Sequence, residues 1–129
     1  MSLKMPFAEL KGVTFTEADK DRVVAQMLVR ADLCTLSHTI HGGAVMAFAD
    51  SVGAAATVIN LPEEAKGTTT IESKTNFFAP IPVGDVATAE CTPLHRGRTT
   101  TVWQTRITRG DGKLAAIVTQ TQLMMKKGD

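Results

Sequence analysis

With 129 residues, 43% of them hydrophobic and 21% charged, the chain has the make-up of one globular α+β domain over residues 1–129 and not of a disordered segment. Its formal net charge of +1 offers no field that would hold nucleic acid or an anionic membrane. The longest apolar run, Ala44 to Leu61, is interrupted by Asp50, Ser51, Gly53, Thr57 and Asn60, too often for a bilayer span.

Met5 to Gly12 predicts one helical turn built on Phe7, Ala8 and Leu10 and closed by Gly12. Val13 to Thr16 and Arg22 to Arg30 read as strands about the polar turn Asp19-Lys20-Asp21. Ala44 to Ile59 follows Gly42-Gly43 and is alanine-rich and apolar on nearly every face. It predicts a buried helix of about four turns that stops at Asn60 and Pro62. Four strands follow: Thr68 to Phe78, Asp85 to Thr92, Thr99 to Thr108 and Lys113 to Met125, with Ala79-Pro80-Ile81-Pro82 and Arg109-Gly110-Asp111-Gly112 as breaks. Connections this short predict an antiparallel meander covered on one face by the helix.

Asp50 stands in the middle of that apolar helix, with no Lys or Arg within one turn along the sequence. A buried carboxylate demands partners, so Asp50 is a reacting group, a structural acceptor bonded to a strand, or part of an exposed stripe with Ser51 and Thr57. His41-Gly42-Gly43 precedes the helix. Its first-turn N–H groups form either an ordinary helix start or a site for a developing oxyanion. Cys34, His38 and His41 have ligand character, with Cys91 or His95 as distant candidates, yet no full tetrahedral zinc set is present. No G-x-G-x-x-G, Walker or G-x-S-x-G motif occurs. Free Cys34 and Cys91 fit a reducing cytoplasm. Basic pairs stand at Arg96 and Arg98 and at Lys126 and Lys127.

The run His41-Gly42-Gly43-Ala44-Val45-Met46-Ala47-Phe48-Ala49-Asp50 resembles the signature of the PaaI-like hotdog thioesterases, HGG with an acidic residue nine positions after its His. Pro6-Phe7-Ala8-Glu9-Leu10-Lys11-Gly12 resembles that family's "PFA..LG" opening. Phe77-Phe78-Ala79-Pro80, His95-Arg96-Gly97-Arg98-Thr99 and Gly112-Lys113-Leu114-Ala115-Ala116 resemble its later motifs, in order. The resemblance implies a hotdog fold, hydrolysis of acyl-CoA thioesters without a metal or separate cofactor, and homodimers pairing into homotetramers with active sites at the dimer interface. It implies Asp50 as nucleophile or general base, the Gly42 N–H on the thioester carbonyl, His41 positioning that loop, and Thr70 orienting water or the carboxylate. Thr35, Gly43 and Phe77 would border the substrate, with Met46, Phe48 and Phe78 shaping its pocket. Arg96, Gly97, Arg98 and Thr99 would meet the pantetheine and phosphates. The chain departs from the pattern at Thr35 and His38, where the family has Asn and Gly; the alternative function is an acyl-CoA-binding module without turnover.

Overall fold

The computed structural model describes residues 4–126; the amine of Lys127 lies outside them. Its elements are α1 (Pro6–Lys11), β1 (Val13–Ala18), β2 (Val23–Leu28), a short 3-10 turn (Ala31–Leu33), α2 (Gly42–Ile59), β3 (Ala65–Phe77), β4 (Val86–Arg96), β5 (Thr100–Thr108) and β6 (Leu114–Lys126). Proline opens α1, and Gly12 closes it in the left-handed region at φ 81°.

The strands form one antiparallel sheet in the order β1-β2-β4-β5-β6-β3. β4, β5 and β6 are the meander expected from their short turns. β3 is not beside β4: it crosses to the far edge and pairs with β6, from Ala65 opposite Lys126 to Phe77 opposite Ala116. The segment after Phe77 makes this crossing. It runs back under the start of α2, where the Ile40 N–H donates to the Ile81 carbonyl at 2.8 Å and Thr39 bridges Pro82. Ala79-Pro80-Ile81-Pro82 is thus a pairing segment as well as the expected break.

β4 also runs further than expected, through Pro93 to Arg96. β2 pairs with β4 only as far as Cys91, and a bulge falls between Pro93 and His95. The missing proline N–H therefore breaks no ladder.

The 18 residues of α2, with a mean hydropathy of 1.5, have the length and apolarity of a membrane span. Here α2 is the core helix, laid across the sheet, and Val45, Phe48, Ala49, Val52 and Ala56 are buried against Val23, Met27, Trp103, Ile107 and Val118. Alternation fixes which side chains of β5 and β6 face it: Thr101, Trp103, Thr105 and Ile107, and Ala116, Val118, Gln120, Gln122 and Met124. Trp103 is core, as expected, and its indole N–H donates to Thr101 Oγ1 at 2.9 Å. Phe48 is fully buried and does not shape a pocket, contrary to the expectation above.

Candidate active site

Asp50 lies on the face of α2 turned toward β3 and β6. Thr70 donates its hydroxyl proton to Asp50 Oδ1 at 2.6 Å, and Gln120 Nε2 donates to the same oxygen at 3.3 Å. Thr70 in turn accepts from Gln122 Nε2 at 2.6 Å, and Thr68 donates to Gln122 Oε1 at 3.0 Å. One carboxylate oxygen of Asp50 is thus held by two donors, and the other, Oδ2, has no hydrogen-bond partner among the described residues. Gln120 fits because Gly53 faces it: a Cβ there would come within 2.3 Å of the Gln120 amide.

Sequence reading missed Gln120, Gln122 and Lys11. Lys11 stands where the resembled opening carries Leu, and its side chain folds onto α2. Nζ donates to the Ala47 carbonyl at 2.7 Å and to Ser51 Oγ at 2.8 Å, and sits 4.1 Å from the centre of the Phe7 ring. Burial pushes its pKa down from 10.5 to about 8, opposed by attraction to Asp50. A cation far away in sequence thus serves the carboxylate that has none nearby along its own helix.

His41 caps α2: its Nδ1 accepts from the Gly43 N–H at 2.9 Å, so a neutral ring carries its proton on the exposed Nε2. Ala44 and Val45 donate to the His41 carbonyl, while the Gly42 N–H has no acceptor among the described residues. Gly42 packs against Phe77, with room for a Cβ only 3.2 Å from the ring. Two hollows flank the helix start. One, of about 440 Å³, runs along Gly42, Thr39, Val45, Phe77, Phe78 and Pro80. The other, of about 380 Å³, runs along Gly43, Ala47, Phe7, Leu10, Lys11 and Leu33.

Gly42 and Asp50 do not meet within one chain. Eight residues of helix at 1.5 Å each separate them by about 12 Å. Thr35 keeps its hydroxyl inside its own turn, accepting from the Ser37 N–H at 3.2 Å and lying 3.3 Å from the Thr39 carbonyl. His38 occupies the left-handed region at φ 62°, which gives the family's glycine there a physical reason. Arg96 is engaged at the other end of α2, with Asp21 at 2.9 Å and the Lys20 carbonyl at 2.9 Å. Gly97 and Thr99 form the β4–β5 turn: the Gly97 N–H donates to Thr100 O and the Met124 N–H to Thr99 O, both at 2.8 Å. Arg98 lines a cleft of about 190 Å³ with Glu64, Met124 and Lys126. Among the described residues no group of three His, Cys, Asp or Glu is placed to hold a metal ion; the Cys34 thiol lies against the Arg30 carbonyl at 3.3 Å.

A six-stranded antiparallel sheet carrying one long helix, with a donor-held carboxylate at their junction, defines a hotdog protein of the α+β class. The family model described as the thioesterase superfamily matches residues 37–116. Rv1847 of Mycobacterium tuberculosis, which bears a provisional esterase name, is 33% identical over 119 residues, 90% of this chain and 84% of its own. A mutant of thioesterase PA1618 from Pseudomonas aeruginosa superposes with a TM-score of 0.87 at 27% identity, covering 93% of this chain and 86% of that one. A mutant of the phenylacetic acid degradation protein PaaI from Thermus thermophilus does so at 0.83 and 28%, covering 92% and 98%. The chain belongs to the thioesterase superfamily, as a PaaI-like hotdog member of this group of hydrolases.

Proposed function

We propose that this protein hydrolyses acyl-CoA thioesters in the cytoplasm, with Asp50 as the attacking carboxylate or general base and the Gly42 N–H polarising the carbonyl. The observation that carries this reading is the carboxylate of Asp50, held at one oxygen by Thr70 and Gln120 and open at the other. A thioester releases a thiolate of ordinary pKa, about 8.5, so it needs attack and carbonyl polarisation more than a strong acid. No cofactor beyond the CoA of the substrate enters.

The separation of Gly42 from Asp50 is resolved by a second copy. β3 has one edge on β6 and the other open, with Ile71 exposed on it. Two copies of β3, paired antiparallel along these open edges, bring the Thr70 end of each strand to the Phe77 end of the other. Thr70 holds Asp50 and Phe77 holds Gly42, so each active site takes its carboxylate from one subunit and its oxyanion donor from the other. Such dimers pair further into a homotetramer. The hollows on either side of the helix start receive the two arms of the thioester, with Gly43 and Phe77 in their walls and the Thr35–Thr39 turn at one rim. The turn of Gly97, Arg98 and Thr99 takes the coenzyme end, and Arg98 meets phosphate while Arg96 is spent on Asp21.

The test is thiol release from a panel of aliphatic and aromatic acyl-CoAs by the wild type, Asp50→Asn and Gly42→Pro. Proline suits the first position of α2 and removes the N–H, while its Cβ meets the Phe77 ring at 3.2 Å. Each variant alone is expected to be inactive. Co-refolded in equal amounts, the two should recover about a quarter of wild-type activity, because half the random dimers hold one intact site of two. No recovery overturns the shared site. Binding of the thioesters without turnover by the wild type would favour the acyl-CoA-binding module, with Thr35 in the place of the family's Asn as its cause.

A further inference from the structure

We propose that Gln122 is a positioning residue for the reaction: through Thr70 it fixes the direction of a hydrogen-bond relay that ends on Asp50. This rests on the reading of Asp50 as the reacting carboxylate. Gln120 and Gln122 are fully buried, and a buried primary amide is costly unless it is used. An ionised Asp50 only accepts, so Thr70 must give it the hydroxyl proton at 2.6 Å. The Thr70 oxygen is then an acceptor and needs a donor, which Gln122 Nε2 supplies at 2.6 Å. That orientation leaves Gln122 Oε1 to accept from Thr68 at 3.0 Å. Thr68 is equally near the Leu123 carbonyl, also at 3.0 Å, so its single proton has two resting places at the far end of the relay.

The charge on Asp50 therefore orients two side chains in series, Thr70 and Gln122, and each bond polarises the next. Gln120 is oriented by the same charge: turned over, its carbonyl oxygen would face the carboxylate. Its Oε1 instead lies buried against Gly53 with no hydrogen-bond partner among the described residues. The relay keeps Oδ1 occupied and Oδ2 directed toward substrate or water.

The experiment compares the wild type with Gln122→Met and Gln122→Glu. Gln122→Met, similar in length and without a donor, is expected to lower kcat about tenfold while KM stays within about twofold. In Gln122→Glu the new carboxylate takes the Thr70 proton for itself. Its kcat should fall below that of Gln122→Met and recover as acid protonates the new group, a pH response absent from Gln122→Met. Equal losses in the two variants at every pH, following the folded fraction, overturn the proposal. An arm without turnover uses exchange of the Gln122 side-chain amide protons, read by NMR, in the wild type and Asp50→Leu. Removing the charge is expected to speed that exchange about tenfold. Unchanged exchange overturns the relay, whereas faster exchange in a protein that cleaves no thioester supports the relay and overturns the thioesterase reading alone.

Discussion

Replacing Lys11 by Met should make the protein more stable at neutral pH, although it removes two hydrogen bonds. Lys11 is only 4% exposed, and its folded pKa of about 8 lies well below the ordinary 10.5. At 1.36 kcal/mol per unit, holding the ammonium charged near pH 7 costs the folded state about 3 kcal/mol. Losing the bonds to Ala47 and Ser51, together with residual water at the site, reduces the gain to about 1.5 kcal/mol, or roughly 5 °C in Tm. Between about pH 8 and 10.5 the unfolded chain holds a proton that the folded chain has released, so wild-type stability rises with pH through that window. The Cys91 thiol, pushed by burial from 9.0 to about 11, acts in the opposite sense, but equally in both proteins. Urea denaturation of both near pH 7 and near pH 10 isolates the Lys11 part. The variant should lead at pH 7 and its advantage should shrink at pH 10. A variant less stable at pH 7, or a constant difference, would refute this electrostatic account.

Further outcomes follow from the same geometry. His38→Gly relieves a left-handed side chain and should raise stability by about 1 kcal/mol in thermal melts; a loss would show that the His38 ring makes contacts worth more than the strain. Gly53→Ala improves helix propensity by about 1 kcal/mol, yet its Cβ falls 2.3 Å from the Gln120 amide. A net loss of about 1–2 kcal/mol and a lower kcat are expected, measured by denaturation and thiol release, and a more stable, fully active variant would contradict the packing. Ile71→Asp places charge on the open edge of β3, where Ile71 is 57% exposed. Light scattering should then find monomers without activity; an intact, active oligomer would move the interface elsewhere.

The long helix was legible because an alanine-rich run apolar on all sides forms a helix that must be buried. The turns at Asp19–Asp21 and Arg109–Gly112 were legible from their own residues. Strand order was not. The move of β3 to the far edge depends on which strands Ala79–Pro82 crosses, and that is set by contacts such as Ile40 with Ile81, distant in sequence. The end of β4 was misjudged because Pro93 reads as a breaker, and only the short reach of β2 makes it harmless.

At the site, Asp50, His41 and Gly42 stood out locally, since a carboxylate in an apolar helix and two glycines before it each break an expected pattern. The partners of Asp50 break none. Thr119-Gln120-Thr121-Gln122 alternates like any strand with polar residues on both faces, and Lys11 ends a short helix as a solvated cation would. Only the fold shows that the glutamines and the lysine face inward. Burying two amides and an ammonium beneath one helix would be costly for a scaffold alone. The cost becomes intelligible when all three converge on Asp50: two aim or relay N–H donors at its Oδ1, and the third sets a positive charge on the adjoining turn. Polar residues on the helix-facing side of β6 are therefore a signature of the helix-borne carboxylate, legible once the face of β6 is known and not before.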